Sequence, residues 1–195
     1  MPNIEELCLG ACDISSKGLS RIKELPKLRV LNLHSTLIGS RAIPHIAESR
    51  KLTTLDISTL ALGDADLSPL ATLPELRVLN LSNARLKDGQ LRGLAGTRSI
   101  KVLYLCSNFN ITDKSATDLA KFKSVDKVYI NNTKLTAAGL AKLGKIPAVV
   151  VSPEMVSGIK SGELSKKLPN VQVLPNAPYG KLTKEEMKLF APMRY

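Results

Sequence analysis

Apolar residues return along this chain at a nearly constant interval. Lines opening at Ile4, Leu28, Leu52, Leu76, Ile100 and Val125 align with one another, 24 residues apart four times and then 25. Each line carries apolar residues at its first, fourth and sixth positions, as in Leu28, Leu31 and Leu33. The last two of these are separated by one residue, the period-two alternation of a short strand with one buried face. A further apolar residue follows at Ile14, Ile38, Leu62, Leu86, Ile111 and Leu135. The period then changes. Leu19/Ile22, Ile43/Ile46, Leu67/Leu70, Leu91/Leu94, Ala116/Leu119 and Leu140/Leu143 lie three apart, which is helical spacing. Turn and cap residues separate the halves, as at Thr112-Asp113 and Lys87-Asp88-Gly89. The one extra residue of the fifth unit falls within 108–110, where a loop absorbs it.

A unit of one strand and one helix cannot bury its apolar stripe alone, so the units must stack, with parallel strands joined through the helical segments. After Leu143 the pattern loosens. Ile146, Val149 and Val151 predict a seventh strand, Ile159, Leu164 and Leu168 a helix, and Val171 with Val173 a short eighth strand. Pro147, Pro153, Pro169, Pro175 and Pro178 restrict further pairing, as suits a terminal cap. The reading divides the chain into a repeat domain, 1–176, with units starting near 4, 28, 52, 76, 100, 125, 146 and 171, and a capping tail, 177–195. Thr183 and Glu186 form a capping box in that tail, predicting a helix from about Lys184 to Phe190. Its Met187, Phe190 and Met193 would cover the last repeat or dock a partner. At the other end the first unit begins at Ile4, which predicts an open apolar edge: either the chain is a fragment or processed form, or something else covers that edge, the alternative being a tolerated frayed first repeat.

The strand lines, LRVLNLHSTLI and LRVLNLSNARL among them, resemble the LxxLxLxx(N/C/T)xL motif of leucine-rich repeat (LRR) proteins. The unit length and the second halves are similar to the ribonuclease-inhibitor-like and cysteine-containing subclasses. The resemblance covers about residues 4–176. It implies an α/β solenoid of seven to eight repeats, with a parallel sheet on the concave face and helices on the convex one. The N/C/T position reads Cys12, Thr36, Leu60, Ala84, Asn108 and Thr133. Leu60 and Ala84 depart from the motif and cannot donate the usual side-chain hydrogen bond, so those loops are expected to be less rigid or hydrated.

In such a solenoid the alternate strand positions project from the concave face. One column reads Cys8, Asn32, Asp56, Asn80, Tyr104 and Tyr129. Its neighbours read Glu6, Val30, Thr54, Val78, Val102 and Lys127, and Gly10, His34, Ser58, Ser82, Cys106 and Asn131. Tyr104 and Tyr129 therefore stand side by side, with Val78 and Val102 next to them and Arg77 and Lys101 at the strand entrances. The chain has only 4 Tyr, 3 Phe and no Trp, so an exposed aromatic pair is expected to mark a protein-binding surface. That surface takes in Asn80 and Asp56. The alternative is a cross-strand pair that only stabilises the sheet.

Composition narrows the picture. The chain has 195 residues, is 44% hydrophobic and 23% charged, and has no run long enough to cross a bilayer as a helix. Its net charge is +11. Residues 1–99 hold 13 basic and 10 acidic side chains, and 100–195 hold 15 and 7, so the excess lies in the second half. Such a half steers acidic surfaces or nucleic acid toward itself. Three cysteines without framework spacing point to an intracellular compartment, the cytoplasm ahead of a mitochondrion or other organelle.

Chemistry finds little support. Cys8, His34 and Asp56 on adjacent strands match a nucleophile, base and orienter by residue type, but the pattern promises neither pocket nor oxyanion donor. Cys8, Cys12 and His34 lack a fourth metal ligand, and no phosphate-binding glycine motif appears. No cofactor, metal or catalytic residue is expected. The reading is a non-catalytic scaffold, adaptor or accessory subunit that binds a protein through its concave face. The alternative is a basic component of an RNA-containing assembly.

Overall fold

The computed structural model describes residues 3–160 and 163–174. Eight parallel strands make one sheet in simple sequence order: β1 Glu6–Cys8, β2 Val30–Asn32, β3 Thr54–Asp56, β4 Val78–Asn80, β5 Val102–Tyr104, β6 Lys127–Tyr129, β7 Ala148–Val151 and β8 Val171–Val173. Equal unit lengths give the register directly. Leu7 pairs with Leu31, Leu31 with Leu55, Leu55 with Leu79, Leu79 with Leu103 and Leu103 with Val128. The fold is an α/β leucine-rich repeat solenoid.

The segments between strands are short. They comprise α-helices α1 Ser16–Leu19, α2 Ala42–Ala47, α3 Asp113–Leu119, α4 Ala137–Ala141 and α5 Leu164–Lys167. The third and fourth units have instead the 3-10 turns Ser68–Thr72 and Gln90–Leu94. The three-apart apolar pairs suit either geometry, and the tighter 3-10 turn needs fewer residues to place two side chains on one face. Leu67 with Leu70, and Leu91 with Leu94, are buried by it.

The core is one continuous ladder between sheet and convex segments. Leu28, Leu31, Leu33, Leu52, Leu55, Ile57, Leu76, Leu79, Leu81, Ile100, Leu103 and Leu105 are wholly buried. Their first-unit equivalents Ile4, Leu7, Leu9 and Ile14 are only half-buried, because β1 has no strand on its outer side. With Leu19 and Ile22 they line an apolar groove of about 520 Å³. The helix foreseen at 184–190, its Thr183 cap and the tail from 177 lie outside the described residues.

Two devices tie successive units together. Ala11, Ser35, Thr59, Asn83, Ser107 and Asn132, one per unit at the strand exit, all have positive φ, between 52° and 61°. The first five send their N–H to the carbonyl of the next unit, as Asn83 does to Cys106 (2.7 Å). The hydrogen bond and the repeated loop hold each of these L residues in a region they otherwise avoid. On the opposite side, Asp88 accepts from the N–H and hydroxyl of Thr112 at 2.9 and 2.6 Å, and Asp113 accepts likewise from Thr136 at 2.8 and 2.6 Å. Each threonine in turn caps its own helix, α3 or α4. Gly139 belongs to this contact, since a Cβ there would collide with the Asp113 carboxylate.

The two departures from the motif, Leu60 and Ala84, lie inside the fold. Both side chains are fully buried. The hydrogen bonds that Ala84 cannot make come from the following unit. Asn108 Oδ1 accepts from the N–H groups of Ala84 (3.1 Å) and Leu86 (3.0 Å), while its Nδ2 donates to the carbonyls of Leu81 and Leu105, each at 2.9 Å. An asparagine can do this because its amide carries both acceptor and donors.

Candidate interaction surface

Period-two strands fix what the concave face can display. The middle column runs Cys8, Asn32, Asp56, Asn80, Tyr104 and Tyr129, and the register continues it through Val150 and Gln172. Strand neighbours lie about 4.8 Å apart, so side chains in a column must stack on one another.

Its polar members fold back on their own backbone. The Oδ1 atoms of Asn32, Asp56 and Asn80 accept from the N–H groups of His34, Ser58 and Ser82, at 3.0, 2.8 and 3.0 Å. Asp56 and Asn80 are completely buried, which corrects their reading as displayed binding residues. Burial pushes the Asp56 carboxyl above its ordinary range, and hydrogen bonds from Ser58 and Asn80, with nearby His34, only partly offset that. The His34 imidazole lies across Gly10, where a Cβ would strike it, and its Nδ1 is 3.2 Å from Ser35 Oγ.

The aromatic pair requires a larger correction. Tyr104 and Tyr129 do meet, but neither is exposed, and both are fully buried. Their ring centroids are 4.4 Å apart and the planes differ by 6°. Parallel register leaves two rings on neighbouring strands little room except face to face. Lys127 Nζ stands 5.0 Å from the Tyr129 centroid, a cation–π contact. Val78, Cys106 and Val150 complete an apolar cluster distinct from the main core, with Val102 and Leu174 packed against it.

Beside the aromatic cluster, the side chains that stay open lie toward the strand entrances. Arg77 is exposed, Lys101, Val102 and Lys127 are half-buried, and Lys101 pairs with Asp126 at 3.5 Å. Of the residues read from sequence, Tyr104, Tyr129, Val78 and Val102 share one cluster. Asn80 and Asp56 continue its column, and Arg77 and Lys101 border it. Val150 was missed because the seventh unit is shorter. Following the Tyr104–Tyr129 column one strand further would have found it.

Cys8, His34 and Asp56 do not form a reactive set. Cys8 is exposed, and desolvation together with the adjacent Glu6 raises its thiol pKa, the reverse of nucleophile activation. Burial likewise pushes the Cys106 thiol up to about 11. Among the described residues, no three His, Cys, Asp or Glu side chains are grouped to hold a metal ion. No helix among them is long and apolar enough to cross a membrane.

No protein-family model and no curated protein matches the chain. Solved structures do. The crystal structure of an internalin (inlF) from Listeria monocytogenes str. 4b F2365 aligns with a TM-score of 0.62 at 22% identity, over 87% of this chain and 46% of that one. The chain thus spans about half the length of that protein. An internalin C2 (inlC2) from the same strain aligns with a TM-score of 0.53 at 19% identity, over 92% of this chain and 77% of that one. The likeness is one of fold, and both are leucine-rich repeat structures.

Proposed function

We propose that this chain is a non-catalytic recognition module that binds a protein partner through the entrance side of its concave face. One observation carries the reading. Arg77, Lys101, Val102 and Lys127 remain open beside a rigid aromatic cluster, so basic and apolar contacts are offered from a pre-organised sheet. Preorganisation favours binding because little side-chain freedom is left to lose. The net charge of +11 favours a partner with an acidic patch, drawn in by long-range attraction. The internalin-like fold supports the reading by architecture.

Capture from native lysate at physiological salt, with and without nuclease, tests it. The reading expects a nuclease-resistant protein partner that the native chain retains and the Arg77→Glu/Lys101→Glu variant loses. Capture that disappears with nuclease, or that is indifferent to both charge reversals, overturns it. The former result would favour an RNA-containing assembly, whose phosphate contacts weaken steeply with salt.

A further inference from the structure

The strand-exit edge carries a row of side chains for which the concave face has no use. The tenth residue of successive units reads Asp13, Leu37, Ala61, Arg85, Phe109 and Lys134, and all six are exposed. Leu37 is 91% and Phe109 59% accessible, and they are the exposed large apolar side chains among the described residues. A single exposed apolar residue is ordinary on a protein surface. Two at the same position of the second and fifth units belong to one edge, because a solenoid repeats its loop geometry from unit to unit.

The backbone of this row keeps the spacing of the sheet. The Leu62 N–H donates to the Ala84 carbonyl at 3.0 Å, and Lys87 forms a parallel bridge with Asn110. Three strand spacings therefore separate Leu37 from Phe109, roughly 14 Å. The row borders a groove of about 440 Å³, lined by Ala61, Arg85 and Phe109 with Asn83 and Ser107. Among the described residues, Arg85 is the one L residue outside the repeated strand-exit position with a positive φ, 57°. Such backbone is uncommon for arginine and is concentrated at functional sites. Lys87 in the same groove is held by Asp64 at 2.7 Å, whereas Arg85 has no ion pair among the described residues. An uncommitted guanidinium thus lies between two apolar anchors.

We propose that this row is a second interaction surface, which takes an extended acidic segment of a partner protein. Residues two and four apart in an extended chain point the same way, and four residues span roughly 14 Å. Apolar residues four apart match Leu37 and Phe109, and an aspartate or glutamate midway between them meets Arg85. Arginine suits that role, since its planar fork takes a carboxylate through two hydrogen bonds. Nucleic acid fits less well, because Leu37 has no flat face on which a base could stack. The row lies at the opposite end of the strands from Arg77 and Lys101, so it does not rest on the concave recognition reading.

Panning a phage-displayed library of random short peptides on the full chain tests this. The enriched peptides are expected to carry an acidic residue with an apolar one two positions away on each side. Their affinity should fall about tenfold or more for Leu37→Ser/Phe109→Ser and for Arg85→Glu, the loss expected of hot-spot contacts. Circular dichroism checks that each variant keeps its repeat array. Should either unfold, Arg85→Gln and peptides with lysine in place of the acid decide, with a like loss expected. Failure to enrich any peptide, enrichment without acidic character, or indifference to these changes overturns the proposal. Peptide binding lost instead on Arg77→Glu/Lys101→Glu belongs to the concave face, and overturns the strand-exit row alone. A labelled oligouridine that binds more tightly than the peptides and is lost with the same substitutions gives the row to nucleic acid, which also overturns it.

Discussion

Tyr104 and Tyr129 lie face to face on adjacent strands, 4.4 Å between ring centroids, with no part of either side chain in solvent. The pair is thus part of the fold, whatever else the concave face does. Replacing either ring by Ala leaves a cavity in a sealed cluster and should cost about 3–5 kcal/mol. Urea unfolding of the two single variants and the double variant would check this. The cycle should show a coupling of about 0.5–1.5 kcal/mol from the stacked rings. Unfolding free energies unchanged by either substitution would show that the rings are not packed as described.

Asn108→Ala removes one side chain but strands groups in two units. The N–H groups of Ala84 and Leu86 and the carbonyls of Leu81 and Leu105 all lose their bonds to Asn108. Each buried group left without a partner costs about 1–3 kcal/mol, so the loss should exceed ~2 kcal/mol. Asn108→Asp should fail to rescue it, because the carboxylate cannot donate to the two carbonyls. Thermal unfolding of both variants provides the comparison.

Asp56 should make the protein less stable as pH rises. Its folded pKa lies above the ordinary value of 3.8, so across the interval between the unfolded and folded values the folded state holds the extra proton. Stability is then greatest below the unfolded pKa and declines as pH climbs toward the folded one. Asp56→Asn keeps an acceptor for the Ser58 N–H and removes the buried charge. It should raise the melting temperature at pH 7 and leave it little changed near pH 3. A lowered melting temperature at pH 7 would show that the carboxylate is a net stabiliser.

The three thiols should separate by access. Cys8 and Cys12 are exposed, whereas Cys106 is buried with its pKa pushed up to about 11. Alkylation of native protein at pH 8 should modify the first two and spare Cys106 until denaturant is added. Peptide mapping after timed labelling reads each site. Early modification of Cys106 would contradict the burial of the whole cluster.

Asp88 supplies the opposite pH signature to Asp56. Partial burial works against its ionisation, but hydrogen bonds from Ser115 and Thr112 prevail and hold its carboxyl below the usual range. Its contribution is present above the unfolded pKa and fades as pH falls through the folded one. Asp88→Asn should therefore destabilise at pH 7 and matter progressively less in acid. A melting-temperature series between pH 7 and pH 2 distinguishes this from a simple packing defect, which would not follow pH.

Much of the architecture was legible in the chain because it is local and repeated. A period of two followed by a spacing of three specifies strand then turn, and a constant interval specifies which residues stack. Leu31, Leu55, Leu79 and Leu103 fall in one buried column by counting alone, and Tyr104 falls beside Tyr129 by the same count. What the pattern could not decide is what lies above the sheet. Alternation assigns a side chain to a face, but exposure depends on the other groups that reach that face. The concave tyrosines were therefore placed correctly and their burial missed. Asn108 teaches the same lesson, since its partners Leu81 and Ala84 sit in the preceding unit and become neighbours only when the units stack. Periodicity determined the ladder, and packing between units and over the sheet determined which rungs remain available to a partner.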